Sequence, residues 1–115
     1  MITESSTRKI GDVDVVEISG RLSLGNTLMS IEKSILDLIT NGSRKLVVHV
    51  AGLAAIDSAG LGMLMSCSGR MEQHHGKLRI AGAQAGVLKT LEIVHMNRMA
   101  PMDGDLETAC RELES

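Results

Sequence analysis

The strand-like run Lys45-Leu46-Val47-Val48-His49-Val50 leads through a short apolar loop into Asp57-Ser58-Ala59-Gly60-Leu61-Gly62, where a helix should begin. That junction does most to limit what the chain can become. The near-continuous apolar character of the run implies a strand buried on both faces. A strand covered on both faces and followed directly by a helix belongs to a layered α/β fold with right-handed crossovers.

The flanking segments repeat the pattern. Ile2 to Ile10 and Val13 to Ser19 read as two strands joined by a turn at Gly11-Asp12. Gly20 to Asn26 reads as a loop. Thr27 to Asn41 reads as a helix, with Leu28, Ile31, Ile35 and Leu38 in one apolar stripe, Asn26 as N-cap and Gly42 as the residue after the C-cap. A second helix runs from Ser58 to about His75 and ends at Gly76. Lys77 to Ala81 is a strand, and Gln84 to Val94 a helix with Val87, Leu88 and Leu91 inward. An extended piece near Met99 to Met102 contains Pro101, which suits an edge strand. Asp105 to Leu113 closes the chain as a helix. The expected order is β-β-α-β-α-β-α-β-α, a mixed, mainly parallel sheet packed with about four helices in one domain spanning residues 1–115.

Ser58 then lies at the carboxyl end of a central strand, the edge where open α/β sheets place their function. A helix start offers free backbone N–H groups and the positive end of the dipole. A serine there can cap the helix, carry a phosphate or act as a nucleophile, and the residues alone leave these open.

The second helix has an unusual outer face. At about 100° per residue, Gly60, Leu61, Leu64, Cys67, Ser68 and Met71 face the core. Ser58, Gly62, Ser66, Gly69 and Gln73 face away, flanked by Met63, Met65 and Arg70. Glycine in a helix costs up to about 1 kcal/mol relative to alanine. A flat stripe of small residues with methionines alongside suits close approach by another protein. The alternative is that the glycines only permit tight packing on the sheet.

Composition removes several functions. The formal net charge is −2 and the chain has no Phe, Trp or Tyr, so it has neither the basic field nor the stacking platforms of a nucleic-acid binder. Hydrophobic residues make up 43%, enough for a core built from aliphatic side chains and eight methionines. Cys67 and Cys110 form no CxxC pair and read as reduced, buried thiols. No apolar run nears the ~18 residues needed to cross a bilayer, and no signal-peptide pattern opens the chain, so a cytoplasmic location without membrane insertion is expected.

Other chemistries fit poorly. A nucleophile elbow, G-x-S-x-G, would need glycine where Ile56 stands. Gly60-Leu61-Gly62 begins like G-x-G-x-x-G, but Met65 occupies the third glycine position, and no P-loop motif is present. A single phosphate contact at the helix start stays open. His74-His75 are adjacent and do not share a helix face as metal-ligating i, i+4 residues do. His49 reads as a hydrogen-bonded structural histidine. No cofactor or metal is expected.

Three stretches carry a family resemblance. Glu17-Ile18-Ser19-Gly20-Arg21-Leu22, Leu46-Val47-Val48-His49-Val50 and, most specifically, Ile56-Asp57-Ser58-Ala59-Gly60-Leu61-Gly62 resemble the STAS family, named for sulfate transporters and anti-sigma factor antagonists. Lys77 to Leu91 resembles the family's next strand and helix. The likeness is greatest to the small bacterial antagonists. It implies a non-enzymatic protein that binds an anti-sigma factor which is also a serine kinase, and that is released when Ser58 is phosphorylated, so regulating transcription indirectly. With the helix start and the outer face read above, the expected contact residues are Asp57, Ser58, Gly62, Met63, Ser66 and Arg70. The resemblance also admits a non-phosphorylated accessory or scaffold subunit, for example of a lipid-transport or signalling complex. Many members have an acid where Ser23 stands, an acid or amide at His49 and a glycine at His95. The oligomeric state stays open between monomer and weak dimer.

Overall fold

The computed structural model describes residues 2–114. Its elements are β1 (Glu4–Ile10), β2 (Val13–Leu22), α1 (Asn26–Thr40), β3 (Lys45–His49), β4 (Leu53–Ile56), α2 (Ser58–Gln73), β5 (Lys77–Ala81), α3 (Ala85–Ile93), β6 (Met102–Asp103) and α4 (Leu106–Glu114), with one 3-10 turn at Met96–Arg98. The main sheet runs β1-β2-β3-β5-β6, with β4 paired to the far end of β2. Among the described residues, only β1 and β2 pair antiparallel. The expected α/β class and mainly parallel sheet are therefore what the chain adopts.

Two apolar layers flank the sheet. Val16, Ile18, Leu46, Val48, Leu78 and Ile80 meet α1, α2 and α3 on one face. Val13, Val15, Val47 and Ala81 meet Ala109, Cys110 and Leu113 of α4 on the other. Leu46, Val47 and Val48 are therefore fully buried in succession, which explains the unbroken apolar run of β3. At the β6 edge, Arg79 pairs bidentately with Asp103, Nε to Oδ2 at 2.7 Å and the guanidinium NH2 to Oδ1 at 3.0 Å.

The departures from expectation have local causes. The loop before Asp57 contains a strand, β4, with Leu22 opposite Ile56. Its Ala54-Ala55 pair has little intrinsic strand preference, so pairing with β2 creates it. Strand β2 correspondingly continues through Leu22 instead of ending at Ser19. Asn26 is not the N-cap of α1: the carbonyl of Gly25 takes the Met29 N–H at 3.2 Å, so the helix begins one residue earlier. Gly42 does follow the C-cap of α1, at φ 107°, with its N–H on the Ile39 carbonyl and that of Ser43 on Leu38. In α2 the same left-handed position falls to His75, at φ 63°, and not to Gly76. Gly76 serves close packing instead, since a Cβ there would stand 2.9 Å from the Arg44 carbonyl oxygen. No helix among the described residues is long and apolar enough to cross a membrane.

Candidate functional site

Asp57 organises the carboxyl edge of the sheet. Its backbone N–H donates to the Leu22 carbonyl at 3.1 Å, continuing the β4–β2 pairing. Its carboxylate caps α2, Oδ1 accepting the Gly60 N–H at 2.9 Å. Oδ2 accepts the Leu24 N–H at 3.0 Å and so fixes the loop between β2 and α1. These bonds, that from Gly60 first and that from Leu24 next, hold the Asp57 carboxyl below the usual carboxylate range. A charged group therefore stands beside Ser58.

With Asp57 as cap, Ser58 is the first residue of the helix proper and is relieved of the capping role. Its side chain is exposed. The Gly60 N–H that a phosphate at this helix start would use is already taken by Asp57.

Gly60 and Gly62 have opposite environments. A Cβ on Gly60 would lie 2.7 Å from both Ile56 Cγ1 and the Leu22 carbonyl oxygen, so this glycine lets α2 sit down on β2 and β4. Cβ atoms on Gly62 or Gly69 would meet nothing within 4 Å. Ser58, Gly62, Ser66, Arg70 and Gln73 are all exposed and follow one another along the outside of α2. Of the expected stripe, Ser58, Gly62, Ser66 and Gln73 are thus exposed and Gly69 is half-buried.

Met63 does not belong to that surface. It is 2% exposed and part of the main core cluster. Helix α1 packs along α2, and Met63 shares the core cluster with Leu28, Ile31 and Ile35, while Leu61, expected in the core, is only partly buried. Met65 is also partly buried against the core. Ser68 is buried and donates to the Met99 carbonyl at 2.6 Å, tying α2 to the segment before β6.

Leu24 is the residue that the sequence reading missed. It is 78% exposed, held beside the helix start by the bond from its N–H to Asp57. A leucine in a short loop carries no periodic signal, and only the Asp57 contact places it at the site.

The remaining candidates are structural. His49 Nδ1 lies 3.0 Å from Glu17 Oε2 on the neighbouring strand. His74 Nδ1 donates to the Arg70 carbonyl at 3.0 Å at the end of α2. Cys67 is fully buried, and desolvation pushes its thiol up to about 12. Among the described residues, no three His, Cys, Asp or Glu side chains are grouped to hold a metal ion.

A family model described as "Mlab, STAS domain" matches residues 5–102, from β1 to the start of β6. The chain belongs to the STAS domain family. Solved STAS-fold structures align over nearly all of it. An anti-sigma factor antagonist from Mycobacterium paratuberculosis matches with TM-score 0.87 and 16% identity, covering 99% of this chain and 96% of that one. The Bacillus cell fate determinant SpoIIAA in its phosphorylated form matches with TM-score 0.72 and 17% identity, over 95% and 98% of the two chains. A sulfate transporter family protein from Wolinella succinogenes matches with TM-score 0.78 and 16% identity, over 91% and 87%. At these identities the likeness is one of fold. No curated protein sequence matches the chain.

Proposed function

We propose that this STAS protein is an anti-sigma factor antagonist, without catalysis of its own, that docks on an anti-sigma factor serine kinase through the outer face of α2 and is released by phosphorylation of Ser58. The observation that carries the reading is the exposed Ser58 one residue after the Asp57 cap, at the head of a stripe where Gly62 and Gly69 leave open space. Asp57, Ser58, Gly62, Ser66 and Arg70, with Leu24 at the rim, form the contact surface; Met63 supports it from below. The fold likeness to antagonists, one of them in a phosphorylated form, supports the reading.

Phosphorylation would act through charge. A phosphoserine adds about −1.5 to −2 charges. It would stand beside the ionised Asp57, whose carboxylate already occupies the Gly60 N–H. Within the free protein, water can solvate it. Against a partner surface that offers no cation, an unpaired charge costs on the order of 3–5 kcal/mol. That is roughly two to three decades of affinity. No change of fold is needed.

The test is mass spectrometry after incubation with ATP and a candidate histidine-kinase-like anti-sigma factor kinase from the same organism, with Ser58→Ala as control. One phosphate on the wild-type chain at Ser58, and none on the variant, is the expected result. A second reading, a non-phosphorylated accessory subunit, is favoured by the "Mlab" description of the matching family model and by the transporter-family neighbour. It predicts no modification, with docking through the same face unaffected by Ser58→Glu.

A further inference from the structure

The outer edge of β1 is uncovered: Glu4 to Lys9 are all exposed, and only Ile10 is partly buried. The hairpin turn is the two residues Gly11-Asp12, with Gly11 at φ 61° and Ile10 opposite Val13. A two-residue hairpin makes that closing pair the hydrogen-bonded one. Alternation then directs the backbone groups of Ile10, Arg8, Ser6 and Glu4 to β2. Those of Lys9, Thr7 and Ser5 point outward as a free ladder. Such an edge is a template for another strand.

We infer that this edge pairs with the β1 of a second copy, antiparallel about a two-fold axis at Ser6, to join two sheets into one. Identical edges can meet only in registers that place outward residues opposite outward residues. With the axis at Ser6, Ser5 meets Thr7, and Glu4 of each copy stands opposite Arg8 of the other, giving two opposite-charge pairs at the closely spaced positions of the ladder. Moving the axis to Thr7 sets Glu4 against Ile10 and Arg8 against Ser6. Moving it to Ser5 sets Arg8 against Ile2 and Glu4 against Ser6. The Ser6 register is the one in which the charges are self-complementary.

The same register explains two apolar features. Ile2 is 77% exposed, with its backbone continuing alongside Gly20 beyond the start of β1. About the Ser6 axis, Ile2 falls opposite Ile10 of the second copy. There Ile10, Leu106 and Cys110 line an open concavity between β1 and α4. Each copy thus brings the exposed Ile2 to the other's apolar recess. Arg8 stands opposite Val15, which lies on the α4 side of the sheet, so the pairing leaves the outer face of α2 free.

Analytical ultracentrifugation from micromolar to millimolar protein tests this. The wild-type chain is expected to dimerise reversibly. Glu4→Arg and Arg8→Glu should each weaken the dimer about tenfold or more, and the double reversal should restore it, since opposite charges across strands attract and like charges repel. Ser5→Pro removes an outward N–H without touching the β1–β2 ladder, and should give a monomer that melts as the wild-type monomer does. A protein that stays monomeric at millimolar concentration overturns the inference. So does a dimer indifferent to both Ser5→Pro and the charge reversals, or one captured only by a different protein at this edge.

Discussion

Asp57 and Leu24 are joined by a backbone-to-carboxylate bond of 3.0 Å, and the other oxygen of that carboxylate holds the Gly60 N–H at 2.9 Å. One side chain thus sets the start of α2 and the conformation of the loop facing it. Asp57→Ala is expected to lower the melting temperature and to speed amide hydrogen exchange at Leu24 and Gly60 together, with β5 unaffected. Exchange that rises at Gly60 alone would uncouple loop and helix.

The same bonds set a pH dependence. The folded-state pKa of Asp57 lies below its ordinary value of 3.8. A carboxyl held low stabilises the fold above its unfolded-state pKa, and that contribution is lost as pH falls through the folded-state value. The stability difference between wild type and Asp57→Asn should therefore be constant near neutral pH and shrink below about pH 4. Urea melts across that range measure it.

The glycines of α2 separate stability from docking. Gly62→Ala places a methyl in open space and should stabilise by about 0.5–1 kcal/mol through helix propensity. Gly60→Ala drives a Cβ into Leu22 and Ile56 and should cost about 1–3 kcal/mol. Gly62→Gln should also raise the melting temperature while weakening kinase binding by about tenfold, ~1.4 kcal/mol. Stability and binding that move together would remove the docking role of this face.

His75 and His95 hold left-handed backbones at φ 63° and 56° after α2 and α3. The left-handed conformation costs an L-residue about 1–2 kcal/mol, and glycine's greater unfolded-state entropy offsets part of the relief. His95→Gly should stabilise by up to about 1 kcal/mol, and His95→Val should destabilise. Denaturant midpoints decide.

The sequence displays what depends on periodicity and hides what depends on partners. Leu28, Ile31 and Ile35 repeat at helical spacing because α1 lies on the sheet, and the unbroken Leu46-Val47-Val48 run follows from cover on both faces. Strand β4 has no such signal: four residues, two of them alanine, become a strand because β2 extends to meet them. Asp57 and Ser58 are both good cap residues, and the one-position choice between them is made by the Leu22 and Leu24 contacts. Met63 lies near the boundary of the helical wheel, where tertiary packing and not periodicity decides burial.

The most direct test of the switch is the affinity of Ser58→Ala and Ser58→Glu for the anti-sigma factor kinase that phosphorylates the wild-type chain, by calorimetry at one ionic strength. Ser58→Ala should bind like the unphosphorylated wild type, and Ser58→Glu about tenfold or more weaker, a lower bound since one carboxylate carries less charge than a phosphate. Equal affinity of the two variants would contradict the account.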